Sequence, residues 1–400
     1  MLGLSDHKLD HVQRHLRTYV DDGRLPGYLC LVSRRGAEAL FLDYGQMDVA
    51  RDRPIARDTI FRIYSMTKPI TSVALMTLYE RGKFQLDDPV ARYIPRWRDL
   101  KVFAGGDARA YDVKAPDRPM TIKDLFTHTS GLTYGFLNAH PVDALYRAQG
   151  VGGMGNEGTL EDMIEKLTEL PLQFSPGARW NYSVSTDVLG YLVQKLADRD
   201  LDDYIRETIT GPLGMADSGF ALPAAEYHRL AACYERVPGT DTYRLQDDPS
   251  TSPYRIRPTF LSGGGGMVST IDDYHRFTLM LLNRGELDGE RILGRKTVEY
   301  MTLNHLPGNR DLAAMGQPTF SETSYDGIGF GLGFSVVIDP AAANVLDSVG
   351  EYAWGGAAST YFFVDPAEEL IVIFMTQLLP SSSYPVRRQL KALVYQAIVD

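Results

Sequence analysis

The chain has 400 residues, of which 44% are hydrophobic and 23% charged, and its formal net charge is −10. This composition is typical of globular proteins and excludes disordered, collagen-like and coiled-coil chains. A net negative charge without a compensating basic run repels phosphate backbones and anionic lipid, so we expect no nucleic-acid partner. The two cysteines, Cys30 and Cys233, are too few for a disulfide framework and have no metal-ligand spacing.

The first predicted element is a helix, because four apolar residues recur at helical spacing: Leu9, Val12, Leu16 and Tyr19. The preceding residues form no apolar signal region, and no segment approaches the 18 apolar residues of a membrane span. We therefore expect a soluble, cytoplasmic protein. Apolar runs at Tyr28–Ser33 and Ala39–Tyr44 flank Arg35-Gly36 and predict a β-hairpin.

The middle of the chain is rich in helical periods, and its far end returns to strands. The predicted central helices are Ile70–Glu80, Leu160–Leu170, Val188–Ala197 and Ile271–Leu282. The predicted late strands are Gly333–Ile338, Tyr361–Val364 and Leu370–Thr376, followed by a helix marked by Val386, Leu390, Leu393, Val394 and Ala397. The long segments Ala104–Asp117 and Pro238–Pro258 are interpreted as loops.

Strands at both ends of the chain and helices between them favour an α+β fold over alternating βαβ units. The expected sheet is mainly antiparallel, built from both chain ends and flanked by helices. We predict one domain from residues 1–85 and 320–400 and a second, mostly helical domain from residues 86–319. The active site is expected in the cleft between them.

The first candidate for chemistry is Ser65-Met66-Thr67-Lys68. Residues three apart share one helix face, which places the ammonium beside the hydroxyl that it would activate. The motif is weak alone, since Ser5-Asp6-His7-Lys8 also matches, but Ser65 follows an apolar run. Pro69 is tolerated only in a first helical turn, so Ser65 lies at or just before the helix start, with a free N–H that suits an oxyanion hole. The alternative to a catalytic pair is that Ser65 only caps the helix and that Lys68 is a solvated surface residue.

Two further segments carry candidate residues. A phenol such as Tyr182, beside ammonium groups, is able to shuttle a proton, although most of the 23 tyrosines must be structural. Trp354-Gly355-Gly356-Ala357 precedes a predicted strand, where paired glycines allow close backbone approach and an N–H could supply a second oxyanion donor. A β-bulge is the alternative for the glycines.

Together these motifs resemble those of the serine β-lactamase and penicillin-binding protein superfamily. More narrowly, the chain is similar to family VIII carboxylesterases, which share the class C β-lactamase scaffold. The resemblance covers nearly the whole chain and includes the further segments Leu86-Asp87-Asp88-Pro89-Val90, Leu125-Phe126-Thr127-His128-Thr129-Ser130-Gly131-Leu132 and Gly263-Gly264-Gly265-Gly266-Met267-Val268-Ser269-Thr270.

The resemblance implies a metal-free and cofactor-free serine hydrolase acting on short-chain esters through an acyl-enzyme. It implies Ser65 as nucleophile, Lys68 as its cation or base, and Tyr182 as the proton relay. The oxyanion hole would be the N–H groups of Ser65 and Ala357. The expected partner is a small-molecule ester, and the oligomeric state stays open.

Two departures from β-lactamases favour neutral, apolar esters. Trp354-Gly355-Gly356 stands where those enzymes carry Lys-Thr-Gly, and Val184 replaces the asparagine of Tyr-x-Asn. The loss of a charge partner and an amide weakens binding of an anionic lactam. A β-lactamase or D-alanyl-D-alanine peptidase remains the closest alternative, acyl transfer is a variant, and a non-catalytic ligand-binding protein is an alternative of another class.

Other motifs point to structural roles or to the substrate pocket. The chain lacks G-x-S-x-G, and His7 and His11 lack the partners of a metal site. Gly263–Gly266 is interpreted as a tight loop before a helix capped by Ser269 or Thr270, and His128 as a structural residue at a helix end. The candidates for the substrate pocket are Gly355, Gly356 and the aromatic residues Tyr134, Phe136, Tyr254, Tyr325 and Trp354.

Overall fold

A computed structural model describes residues 2–153, 157–316 and 325–400. The helices of the described residues are α1 Asp6–Asp21, α2 Thr67–Glu80, α3 Ile122–Phe126, α4 Pro141–Ala148, α5 Leu160–Thr168, α6 Ser185–Ala197, α7 Leu201–Ile205, α8 Ile271–Leu282, α9 Arg295–Met301, α10 Leu312–Met315, α11 Pro340–Ala343 and α12 Val386–Tyr395. The strands are β1 Gly27–Arg34, β2 Ala37–Asp48, β3 Arg53–Pro54, β4 Phe61–Arg62, β5 Val102–Gly106, β6 Tyr111–Lys114, β7 Cys233–Arg236, β8 Tyr243–Asp247, β9 Val268–Ser269, β10 Glu286–Leu287, β11 Glu290–Arg291, β12 Ile328–Phe330, β13 Ser335–Val337, β14 Tyr352–Gly355, β15 Tyr361–Asp365, β16 Leu370–Met375 and β17 Leu378–Leu379.

The main sheet joins the two ends of the chain. Its eight strands follow the order β12-β13-β14-β15-β16-β1-β2-β3, and each neighbouring pair is antiparallel. Strand β1 lies beside β16, with Leu29 opposite Met375 and Arg34 opposite Leu370. The predicted sheet from both ends, and with it the α+β class, is confirmed.

The central strands β1, β15 and β16 are buried on both faces, which explains why these three strands are nearly continuous apolar runs. In β1, Leu29 and Leu31 belong to the core shared with the helical part of the chain. Tyr28, Cys30 and Val32 point to the opposite face. That second face is covered by α1 and α12 through eight buried or partly buried residues: Leu9, Val12, Leu16, Tyr19, Val386, Leu390, Leu393 and Val394.

Several sequence interpretations were wrong in detail. Ala104–Asp117 contains most of the β5–β6 hairpin, and Pro238–Pro258 contains β8, so neither segment is only a loop. The alternation of apolar residues there is weak, because β6 is exposed throughout. Strand β14 was not predicted. It ends at Gly355, and Gly356 lies in the turn that follows, so the glycines mark the end of one strand and not the start of the next.

The two-domain division stays a prediction. Its boundary between residues 319 and 320 lies outside the described residues. Among the residues that the structure does describe, no helix is both long enough and apolar enough to cross a bilayer.

Candidate active site

Ser65 lies in a single 3₁₀ turn, Tyr64–Met66, directly before α2. Pro69 falls in the first turn of that helix, as predicted. The preceding Tyr64 has φ +42°, a left-handed conformation that is strained for a bulky side chain and requires support from its surroundings. Support comes from both sides, since Ile63 N–H donates to Met267 O at 3.1 Å and Tyr274 Oη donates to Met66 O at 2.9 Å.

The hydroxyl of Ser65 meets the two side chains expected to activate it. Tyr182 Oη donates to Ser65 Oγ at 2.7 Å, and Lys68 Nζ donates to the same oxygen at 3.3 Å. Tyr182 is 5% exposed and Lys68 only 2%, whereas Ser65 is half-buried. A nucleophile with two polar partners in a nearly dry setting is an arrangement that supports acyl transfer chemistry.

Lys68 is held by backbone and aromatic groups. Its ammonium donates to Gly264 O at 2.6 Å and lies 4.5 Å from the ring centroid of Tyr182. The Gly264 N–H donates in turn to Asp187 Oδ1 at 3.0 Å, and Ser262 Oγ donates to the same carboxylate oxygen at 2.6 Å. The buried ammonium and the buried carboxylate therefore lie on opposite sides of one glycine residue, Gly264, and the carboxylate partly compensates the charge of the ammonium.

Sequence reasoning missed Asp187. Burial raises the pKa of its carboxyl, while the nearby Lys68 ammonium opposes that rise. No local motif distinguishes Asp187 from other acidic residues on helices, because its role depends on the Gly264 loop packing against α6. The glycine loop itself is as predicted, since Thr270 Oγ1 caps α8 by accepting from Asp273 N–H at 3.2 Å.

His128 directly follows the C-cap residue of α3, so its predicted place at a helix end is confirmed, and its structural role stays a prediction. It is buried after α3, and its Nδ1 lies 3.1 Å from Ser183 Oγ. Burial lowers the pKa of the imidazole well below its usual range, and the Lys68 ammonium lowers it further. Both effects favour the neutral form of the imidazole. The ring lies 5.0 Å from the ring of Tyr182 and packs against it.

The turn after β14 carries the second predicted oxyanion donor. Gly356 N–H donates to Thr360 O at 2.9 Å and Ser359 N–H to Gly356 O at 3.1 Å, which closes the turn around Ala357. A Cβ on Gly356 would overlap Ile63 O, so the absence of a side chain lets the turn approach the nucleophile segment. Within the described residues, the N–H groups of Ser65 and Ala357 donate to no protein acceptor.

Two of the five predicted pocket aromatics, Tyr134 and Trp354, contact Tyr182, and a third, Phe136, stacks on Tyr134. Tyr134 stacks on Phe136 at a centroid distance of 4.7 Å and lies 5.2 Å from Tyr182. Trp354 lies 5.5 Å from Tyr182 on another side. Phe330, which sequence reasoning missed, contacts Trp354 edge-on at 5.3 Å.

The other two predicted pocket aromatics pack elsewhere. Tyr325 packs 5.9 Å from Trp180, which stacks on Tyr182. Tyr254 belongs to a separate small cluster with Ile60, Leu222, Leu230 and Val268. Aromatic content alone could not separate pocket residues from core residues, because both environments bury rings.

Comparison with known proteins gives concordant matches over nearly the whole chain. Residues 12–396 match the family model described as Beta-lactamase. Protein Rv1367c of Mycobacterium tuberculosis is 37% identical over 382 residues, covering 94% of this chain and 91% of that protein. Esterase EstB of Burkholderia gladioli is 32% identical over 370 residues, covering 88% and 86%.

A solved structure is similar over the same extent. EstCE1, described as a hydrolase with promiscuous acyltransferase activity, superposes with a TM-score of 0.80 at 26% identity, covering 98% of this chain and 99% of that one. The large antiparallel sheet with flanking helices is thus the β-lactamase and transpeptidase fold. The chain belongs to the beta-lactamase family, as an enzyme of its hydrolase and acyltransferase class.

Proposed function

We propose that this protein is a serine esterase that cleaves short-chain carboxylic esters through an acyl-enzyme on Ser65. The observation that carries the proposal is the convergence of Tyr182 Oη and Lys68 Nζ on one serine oxygen, at 2.7 and 3.3 Å. The similarity to EstB, an esterase that is 32% identical, supports the same reaction. The proposal includes that the protein acts as the family VIII carboxylesterases do, the enzymes that its sequence motifs resemble.

Acylation follows from the contacts of Ser65. In the reactive form the Lys68–Tyr182 pair consists of an ammonium and a phenolate. The Oγ of Ser65 forms a bond to the ester carbonyl carbon while its proton passes to the phenolate oxygen, Tyr182 Oη. The carbonyl oxygen becomes an oxyanion that accepts hydrogen bonds from the N–H groups of Ser65 and Ala357. As the C–O bond to the alcohol breaks, Tyr182 Oη delivers a proton to the departing alkoxide. Lys68 stabilises the phenolic oxygen at each stage in which it carries negative charge.

Deacylation uses the same groups in reverse. Water loses a proton to the Lys68–Tyr182 pair while its oxygen bonds to the acyl carbon. The bond between that carbon and Ser65 Oγ then breaks, and the serine oxygen recovers a proton from Tyr182. The acid product leaves, and the enzyme returns to its starting protonation.

The lining of the site supports an ester over a β-lactam. Trp354 presents an indole where β-lactamases present a lysine, and buried Val184 occupies the position of their amide. A substrate carboxylate bound beside Trp354 would lose its hydration without gaining a cationic partner. An apolar acyl or alcohol group has no such cost at this position. We expect a chromogenic cephalosporin to give a lower kcat/KM than p-nitrophenyl butyrate, and the opposite ranking would favour the β-lactamase or peptidase alternative.

The first test exploits the two S-x-x-K sequences in the chain. Ser65→Ala should lower turnover of p-nitrophenyl butyrate by about 10³–10⁶-fold, because the covalent route is lost. Ser5→Ala is the matched control and should turn over as the wild type does. A fluorophosphonate probe should label the wild type and Ser5→Ala but not Ser65→Ala. Undiminished turnover in Ser65→Ala, or an unlabelled wild type, contradicts the proposal, and the second result favours a ligand-binding protein.

A second candidate activity is acyl transfer to an alcohol. It is favoured by the similarity to EstCE1, whose description includes promiscuous acyltransferase activity. Transfer differs from hydrolysis only in the acceptor that attacks the acyl-enzyme. With vinyl butyrate and an added primary alcohol, the product ratio of new ester to butyrate measures how the acyl-enzyme partitions.

A further inference from the structure

The turn that carries Ala357 is held from behind by the last helix of the chain. Arg387, near the start of α12, extends its guanidinium to this turn. Its Nη2 donates to Gly356 O at 2.9 Å and to Thr360 O at 3.0 Å. These two carbonyls flank the turn, so one side-chain nitrogen spans the backbone on both sides of the proposed oxyanion donor.

The guanidinium is fixed in place by its surroundings. Arg387 is 7% exposed, and its Cζ lies 5.4 Å from the ring centroid of Tyr361 on β15. Neighbouring residues of α12, Val386 and Leu390, are buried against the outer face of the sheet. A planar donor group that is buried and packed in this way loses little additional freedom when it makes its hydrogen bonds.

The paired glycines have separate roles in this arrangement. A Cβ on Gly355 would lie 2.5 Å from both Cζ and Nη2 of Arg387, so this glycine makes room for the guanidinium. A Cβ on Gly356 would instead overlap Thr360 Oγ1, within the turn, and Ile63 O, two residues before Ser65. One glycine thus opens the turn toward α12, and the other opens it toward the nucleophile segment.

We infer that Arg387 is a positioning residue that sets the oxyanion donor of Ala357 relative to Ser65. This inference rests on the proposed function. A backbone N–H is useful in an oxyanion hole only where the developing charge appears, and a misplacement of about 1 Å can cost on the order of 10²-fold in rate. In this role Arg387 affects the reaction through its contacts with the turn, at Gly356 O and Thr360 O, and not as a catalytic residue.

The test compares Arg387→Gln and Arg387→Lys with Arg388→Gln. Arg388 is the matched control, because it is adjacent and exposed and donates to Asn344 O at 3.1 Å. Each protein is assayed with p-nitrophenyl butyrate, with rates normalised to the fraction of Ser65 labelled by a fluorophosphonate. A trifluoromethyl ketone serves as the second probe, because its tetrahedral adduct with Ser65 places an oxygen in the oxyanion hole.

We expect kcat of Arg387→Gln to fall by about 10- to 10²-fold with a KM change below about threefold, since oxyanion contacts strengthen in the transition state. Affinity for the ketone should fall by a similar factor. Arg387→Lys should be intermediate, and Arg388→Gln should match the wild type. A merely structural arginine would lower the melting temperature without changing kcat per labelled Ser65 or the affinity for the ketone.

Gly355→Ala provides a second variant in case Arg387→Gln does not fold. It leaves the arginine in place but pushes the guanidinium away from the turn, so it should lower kcat and ketone affinity together. The inference is overturned if folded Arg387→Gln or Gly355→Ala keeps the kcat and the ketone affinity of the wild type. It is also overturned if only KM changes. If Ser65→Ala keeps its turnover, the proposed function is overturned as well. If turnover depends on Ser65 but is unchanged in the Arg387 variants, only this inference is overturned.

Discussion

Tyr182 is enclosed by rings on several sides, with Tyr134, His128 and Trp354 at centroid distances of 5.2, 5.0 and 5.5 Å. This packing fixes the orientation of the ring, so that its hydroxyl points toward Ser65 Oγ. At the residue scale, therefore, the site depends on a rigid phenol whose oxygen cannot move away from the serine when a proton is exchanged. An immobile proton donor requires little reorganisation during the reaction.

Removal of that hydroxyl tests its role. Tyr182→Phe should lower kcat for p-nitrophenyl butyrate by about 10²–10⁴-fold, the range for a general acid–base group, with little change in KM. Circular dichroism and the melting temperature check that the fold is kept. Tyr254→Phe is the control, since Tyr254 packs in the separate cluster around Ile60. Equal rates for wild type and Tyr182→Phe would remove Tyr182 from the mechanism.

At the scale of elements, the site is assembled where α2, α6 and the Gly263–Gly266 loop meet. Gly264 lies between Lys68 and Asp187, with its carbonyl accepting from the first and its N–H donating to the second. A Cβ at Gly264 would lie 2.7 Å from Asp187 Oδ2 and 2.9 Å from Tyr134 Oη. The loop therefore has no space for a side chain at the point where it orients the ammonium.

The neighbouring glycine provides a direct control for this packing. Gly264→Ala should lower kcat/KM for p-nitrophenyl butyrate by about 10-fold or more, because overlap with Asp187 shifts the carbonyl that fixes Lys68. At Gly265, a Cβ would meet nothing closer than 3.7 Å, so Gly265→Ala should retain wild-type kinetics. Kinetic assays and melting curves of both variants measure the contrast. Equal kinetics in both variants would contradict the role assigned to Gly264.

At the scale of the whole molecule, segments distant in sequence are tied together by buried polar groups, and this makes stability depend on pH. Asp273 on α8 accepts from Asp217 N–H and from Ser218 Oγ, each at 2.8 Å. Burial raises the pKa of Asp273 to about 6 despite these two donors. Between pH 4 and 6 the folded protein thus binds a proton that the unfolded chain releases, so this residue makes the free energy of unfolding fall as pH rises.

Asp273→Asn removes that titration. The difference in unfolding free energy, variant minus wild type, should increase by about 2 kcal/mol between pH 4 and pH 7, because only the wild type then carries the buried charge. Urea unfolding at several pH values measures this difference and cancels the groups that both proteins share. A difference that does not vary with pH would contradict the raised pKa.

Several helices, the origin of the sheet strands and the Ser65–Lys68 pair follow from local patterns in the sequence. The spacing of Leu9, Val12 and Leu16 predicted α1, and the bounds predicted for the helix Ile271–Leu282 agree with the structure. Ser65 and Lys68 are three residues apart at a helix start, so helical geometry alone brings them together. Apolar strands at both chain ends indicated the sheet, because buried strands show as apolar runs.

Tertiary structure decided what no local pattern encodes. Through the packing of separate elements, Tyr182 contacts Ser65, Asp187 contacts Gly264, and Arg387 contacts the turn around Ala357. For the same reason Tyr134 lies beside Tyr182 whereas Tyr254 packs in another cluster. Strand β14 forms because it pairs with β13 and β15. Tyr352–Gly355 itself shows no alternation of apolar and polar residues that would predict a strand. Contacts between residues on different elements depend on how those elements pack, and the local period of a sequence does not specify which elements meet.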